Sequence, residues 1–206
     1  MKIHDITPPV SLNLAVWPGD VPLSLHRTMD IARGDTVNVT EIRCTVHLGA
    51  HADGPLHFDP RGFDISRVPL DFYIGPARVV EALGVTEVGV KELADVPWAG
   101  TARLLIKTRA RFHATEFDER FPALTVEAAA LVAAKGVRLI GVDVPSVDTC
   151  HSHKLPNHRA FLRSKTAILE NLDLSHVAPG VYELVALPLK LVDADSSPVR
   201  AVLLER

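Results

Sequence analysis

The chain has 206 residues, of which 47% are apolar and 23% charged, with a net charge of −3. That is enough for one well-packed domain and short for two, and the scattered basic residues leave no electrostatic footprint for nucleic acid or an acidic membrane surface. Cys44 and Cys150 are the only thiols, too few for a disulfide framework or a four-thiolate zinc site.

The opening residues, MKIHDITPPVSLNL, put Asp5 and two prolines where a signal peptide needs an apolar core. No run of about eighteen apolar residues follows, so a soluble, cytoplasmic chain without a membrane span is expected. Residues 37–48 alternate in their second half. Ile42, Cys44, Val46 and Leu48 share one face and Arg43, Thr45 and His47 the other, which predicts a half-buried strand. Further strands are predicted over 77–83, 102–108, 137–143, 181–189 and 200–205 from short apolar runs. A helix is predicted over 86–95, starting at Thr86. Another follows Thr125 as N-cap, with Glu127 in its first turn and Gly136 as its stop. No repeat, low-complexity tract or linker divides the chain, so residues 1–206 are expected to form one domain. Strands outnumber helices and at least one strand–helix–strand unit is present. The expected class is strand-rich α/β.

The segment HLGAHADGPLHF, residues 47–58, concentrates the chemistry. His47, His51, Asp53 and His57 all fall on odd positions, which share a side on an extended chain. A helix would set Asp53 nearly opposite His51, and Pro55 would break it. A straight strand would hold His47 and His57 about 33 Å apart, whereas ligands of one ion lie about 2.0–2.2 Å from it. The chain therefore has to turn, and Gly49, Gly54 and Pro55 supply the places. On this spacing a metal site leads, with a metal-free acid–base cluster and a plain polar loop as alternatives. A second set of donors lies downstream in His151, His153, His158, Glu170 and Asp173. Glu170 follows the apolar TAIL, so burial with a partner is expected there. His158 and Glu170 are twelve residues apart, about 18 Å along a straight helix, so sharing one ion needs a bend near Ser164–Lys165. His151 and His153 read as surface residues and Asp173 as a loop or cap residue, but spacing alone does not rank the set.

With both segments in view, the chain resembles the metal-dependent cyclase-like hydrolase family, and within it the arylformamidase branch. The resemblance rests on WPGD (17–20), HLGAHADGPLHF (47–58), GVDVPSVD (141–148), LPNHRAFL (155–162), ILENLDL (168–174), YELVALPLKL (182–191), and Asp195 with the SPVRAVL run that closes the segment 195–203. The family pattern H-x-G-[TA]-H-x-D-x-P-x-H is met at every metal-relevant position, and Leu48 stands where a small polar residue is common. The resemblance implies a swivelling β/β/α domain, usually homodimeric. It also implies two divalent metal ions, zinc foremost and manganese, iron or cobalt also compatible with imidazole and carboxylate donors. By the same resemblance His47, His51 and Asp53 hold one ion, and Asp53, His158 and Glu170 the other, Asp53 and Glu170 bridging. His57 is implied as general acid/base and Trp17 as part of an aromatic substrate pocket. The implied reaction is hydrolysis of N-formyl-L-kynurenine to L-kynurenine and formate, a step of tryptophan degradation.

Other readings remain open at this level. The substrate can instead be another aryl or cyclic amide, as in the isatin hydrolase branch, or the chain can be a non-catalytic metal-binding protein. Trp17 can be a hydrophobic plug. Asp143 and Ser146 are read as support beneath the site, and Arg200 as facing a substrate carboxylate or holding the C-terminal strand.

Overall fold

The computed structural model describes residues 1–205. In chain order its regular elements are β1 (Lys2–Asp5), β2 (Ser24–Met29), β3 (Val39–Arg43), β4 (His51–Asp53), β5 (Ile74–Glu81) and β6 (Arg103–Lys107). Then come α1 (Val126–Ala134), β7 (Leu139–Val142), α2 (Pro156–Ser164), β8 (Ala167–Glu170), β9 (Gly180–Val185), β10 (Ser196–Pro198) and β11 (Val202–Glu205). Nine strands form one sheet in the order β1-β11-β9-β5-β6-β7-β8-β4-β10, and β2 and β3 form a separate ribbon. The central strands β5, β6, β7 and β8 run parallel, while the flanking pairs are antiparallel. No helix among the described residues is long and apolar enough to cross a membrane.

Both faces of β6, β7 and β8 are covered, which is why they read as unbroken apolar runs. Leu105, Leu139 and Leu169 point into one core with Ile6, Tyr73, Leu184 and Leu203. Leu104, Ile106, Ile140, Val142 and Ile168 point into the other, against Ala128, Ala129 and Val132 of α1 and Phe161 of α2. The alternation is the two-residue period of a strand. Helix α1 begins as predicted, with the Thr125 side chain accepting a hydrogen bond from the Ala128 amide. Its stop also holds, with Gly136 at φ +72° just past the helix.

Two predicted elements differ. The strand expected over 37–48 ends at Arg43, and every residue of β3 is exposed, Ile42 included. Its alternation is genuine strand patterning, but its one strand partner among the described residues is β2, and both strands of the ribbon are exposed throughout. The chain then turns, so His47 does not end a strand. Leu48 is buried beside Leu14 and Leu23, consistent with a packing change next to His47. The helix expected over 86–95 is a single tight turn, Lys91–Leu93. Val88 is drawn into a bridge with Leu124, and the Glu92 carboxylate accepts from the Gly89 amide. These contacts fix an irregular path where local propensity favours helix.

Candidate metal centre and active site

Strand β4 carries His51 and Asp53 on the same side, two residues apart, as the odd spacing required. Gly49, at φ +62°, makes the turn that leads into it. Glu170 ends β8 directly across the ladder from His51. His158 arrives from the first turn of α2, which stops at Ser164. Lys165 then takes a left-handed conformation (φ +56°) and the chain returns as β8. This is the bend that lets residues twelve apart in sequence meet.

The resulting cluster is buried and tight. His51 Nε2 lies 3.6 Å from Asp53 Oδ1 and 3.4 Å from Glu170 Oε2. His158 Nε2 lies 3.5 Å from Asp53 Oδ2 and 3.6 Å from Glu170 Oε1, and His47 Nδ1 is 3.4 Å from Asp53 Oδ1. These spacings are long for charge-assisted hydrogen bonds. His51 Nε2, His158 Nε2 and both Asp53 oxygens are buried without a hydrogen-bond partner among the described residues. Four orphaned donor atoms converging in one place would be costly unless something binds them. The residues present fit metal ions.

The outward nitrogens are held. His51 Nδ1 meets the Gly49 carbonyl at 2.8 Å, and His158 Nδ1 meets Asp148 Oδ2 at 2.7 Å. Each leaves Nε2 free for an ion, the tautomer logic of metal-site histidines. Asp148 also accepts from the Asn157 and His158 amides, so one carboxylate caps α2 and aims its histidine. Glu170 Oε1 takes the Val147 amide at 2.8 Å. Burial disfavours a charged His158, but Asp148, Asp53 and Glu170 outweigh it and push its pKa up to about 10. Burial likewise opposes charge on His47, and Asp53 and Asp195 raise it to about 9. Burial also works against the Asp53 carboxylate, yet His158 and His47 hold it well below the usual carboxylate range. The same carboxylates therefore favour protonated imidazoles at His47 and His158 when no ion is bound.

His57 closes a tight turn begun by Pro55 and packs 4.2 Å from the His47 ring between centroids. Its donor atom clusters with those of Asp53 and His158, so distance does not separate it from the proposed ligands. Exposure grades them: the His57 side chain is 32% exposed, against 18% for His47 and 2% for His51 and His158. Asp195, which spacing did not single out, joins it. Asp195 Oδ2 lies 3.2 Å from His57 Nδ1 and 2.9 Å from His47 Nε2. Its only sequence signal was its place at the head of the segment 195–203, far from every histidine of the cluster.

The cavity above the cluster is lined by His47, His51, His57, His158, Glu170 and Trp17, with Arg109 and Phe112. Trp17 sits on the turn that WPGD predicts, the Asp20 amide reaching the Trp17 carbonyl. Its ring packs edge-on against Phe117 at 5.3 Å and Phe121 at 6.2 Å, so it is anchored in the core and lines the cavity at once. His151 and His153 are exposed and stand apart from the cluster, and Asp173 holds a local turn through Ser175. Ser146 lines the cavity and accepts from the Asp148 amide. Arg200 does not reach the cavity. It pairs with Asp5 at 2.9 Å and ties the C-terminal segment to β1.

The cyclase family model matches residues 4–149. The kynurenine formamidase of Bacillus cereus is 43% identical over 199 residues, 97% of this chain and 95% of its own. That of Bacillus mycoides is 42% identical over the same shares. The chain belongs to the cyclase family. A solved structure described as a potential metal-dependent hydrolase with cyclase activity superposes with a TM-score of 0.85 at 28% identity, covering 100% of this chain and 98% of that one. Isatin hydrolase A from Labrenzia aggregata gives 0.79 at 20% identity over 98% and 93%, a likeness of fold. The swivelling β/β/α architecture is thus shared across the family, and this cyclase-family chain is a hydrolase.

Proposed function

We propose that the protein is an arylformamidase that hydrolyses N-formyl-L-kynurenine to L-kynurenine and formate in tryptophan degradation. The observation that carries this reading is the set of orphaned imidazole and carboxylate atoms on the floor of a cavity with Trp17 in its wall. Near-full-length similarity to kynurenine formamidases supports this choice of substrate.

His47, His51 and Asp53 would hold one divalent ion and Asp53, His158 and Glu170 a second, zinc being the first choice for such donors. When bound, such ions supply Lewis acidity and lower the pKa of water toward neutrality. The chain's own residues do the rest. Asp195 accepts from His57 Nδ1–H, leaving Nε2 as the base that takes a proton from attacking water. The same nitrogen then delivers that proton to the departing arylamine, whose anion is a poor leaving group. Trp17 supports the aryl ring, its own ring held by Phe117 and Phe121.

In this reading the 206 residues act as one cytoplasmic domain that pairs as a homodimer. The β2–β3 ribbon supports the pairing, since it exposes Leu25, Val39 and Ile42 uncovered by the rest of the described chain. The deciding experiment is formate release from N-formylkynurenine by metal-reconstituted protein, with and without chelator. Chelator-sensitive release is expected, and turnover of isatin but not of the formamide would overturn the assignment.

A further inference from the structure

We infer that Arg109 receives the α-carboxylate of the substrate, with Asp118 beside it taking the α-ammonium, so that the cavity selects aryl formamides bearing an amino-acid head. This rests on the formamidase reading above and extends it to specificity.

Arg109 is the one arginine or lysine lining the cavity among the described residues. It leaves the end of β6 at a fixed point. Asp143 accepts from the Thr108 amide at 2.8 Å, the Thr108 hydroxyl at 2.6 Å and the Arg109 amide at 2.9 Å. The Asp143 carboxylate is thereby occupied by the backbone and a hydroxyl, and it anchors Arg109 without capturing its side chain. The guanidinium makes no ion pair with any described residue. Burial lowers its pKa from the ordinary arginine value, with Asp143 and Asp118 acting in the other direction. Arginine nonetheless stays charged, and a half-buried charged fork without a carboxylate partner suits bidentate capture of one.

The surroundings match a zwitterion. An amino-acid head carries its two charges on one carbon, so its receptor needs a cation and an anion close together. Asp118 lines the same cavity and acts on the Arg109 charge; its Oδ1 accepts the Arg120 amide and lies 3.9 Å from the exposed Arg120 guanidinium, and Oδ2 makes no hydrogen bond among the described residues. Phe112, Phe117 and Trp17 line it as well, apolar walls for the ring that separates the head from the formyl group. Arg200, the other arginine suggested by sequence, is already paired with Asp5.

The test compares metal-loaded wild type, Arg109→Gln and Arg109→Lys on N-formylkynurenine and on 2-formamidoacetophenone, which keeps the aryl formamide and lacks the amino-acid head. The measured quantity is the ratio of kcat/KM for the two substrates. Arg109→Gln is expected to lower that ratio about 10- to 100-fold, the range for a lost charged hydrogen bond, mainly through KM. Arg109→Lys should recover part of it, and L-kynurenine should bind more weakly to Arg109→Gln by equilibrium titration. A ratio unchanged while both substrates suffer alike would reduce Arg109 to structural support and overturn the inference alone. A wild type with no preference for the head would do the same. If wild type hydrolyses neither compound, the formamidase reading itself fails.

Discussion

The floor and the rim of the cavity are built on opposite principles. On the floor, His51, His158 and Glu170 stand on a strand end or a helix first turn, and the second atom of each is tied to a carbonyl, a carboxylate or an amide. At the rim, Phe112, Phe117 and Asp118 belong to an irregular segment after β6, held by ring packing on Trp17 and by a few backbone contacts, among them the Ala15 amide on the Ala114 carbonyl. Chemistry that needs tight placement is carried by regular structure, and recognition by a loop that can vary without disturbing it. The contrast predicts that floor substitutions remove the reaction, whereas rim substitutions change what enters.

The largest effect should come from the floor. Asp53→Ala is expected to strip tightly held metal entirely and lower kcat/KM by more than about 10⁴-fold, whereas His47→Ala should release mainly one ion. Elemental analysis after reconstitution separates the two, and equal metal loss from both variants would break the bridging assignment. Next is His57→Ala, expected to cost about 10²–10⁴-fold in kcat with metal content intact. Loss of metal instead would make His57 a ligand. Asp195→Asn should cost about 10–100-fold, since it supports both His47 and His57 and reacts with nothing itself. A Trp17→Ala variant should leave metal retention alone and raise KM about 10-fold, as the rim role requires.

The smallest effect is one of pH on the chelated protein. His47 and His158 have folded pKa values of about 9 and about 10, above the ordinary 6.5. Their contribution to stability is complete below the unfolded value and is lost as pH rises through the folded ones. Asp53 runs the other way: held low, it stabilises above its ordinary 3.8 and fails only as pH falls through its folded value. The chelated protein should therefore melt at falling temperature between about pH 6.5 and 10. Metal-loaded protein should lack that decline, because the ions replace the protons. A chelated melting temperature that stays flat across this window would contradict the proton placement.

Much of this was legible in the linear chain. The odd spacing of His51 and Asp53 placed them on one side, and β4 carries them so. The need for a bend near Ser164–Lys165 was also correct, because a helix length is a fixed distance per residue. Central strands announced themselves as apolar runs because both faces are buried. The ribbon misled for a related reason: period-two patterning marks a strand whether or not a layer covers it, and burial is not local information.

Residue identity and spacing thus determined the shared side of His51 and Asp53, the turn around Gly49 and the apolar central strands, since each follows from backbone geometry over a few residues. Only the tertiary structure decided the partners that arrive from elsewhere. It set Glu170 across the ladder from His51, brought Asp148 beneath His158, and carried Asp195 to both His47 and His57 over more than a hundred residues of chain. It also set Arg109 in the cavity wall, without an ion pair among the described residues, and sent Arg200 to Asp5. Which charge meets which is settled by how strands pair and where helices end, and no local pattern encodes that.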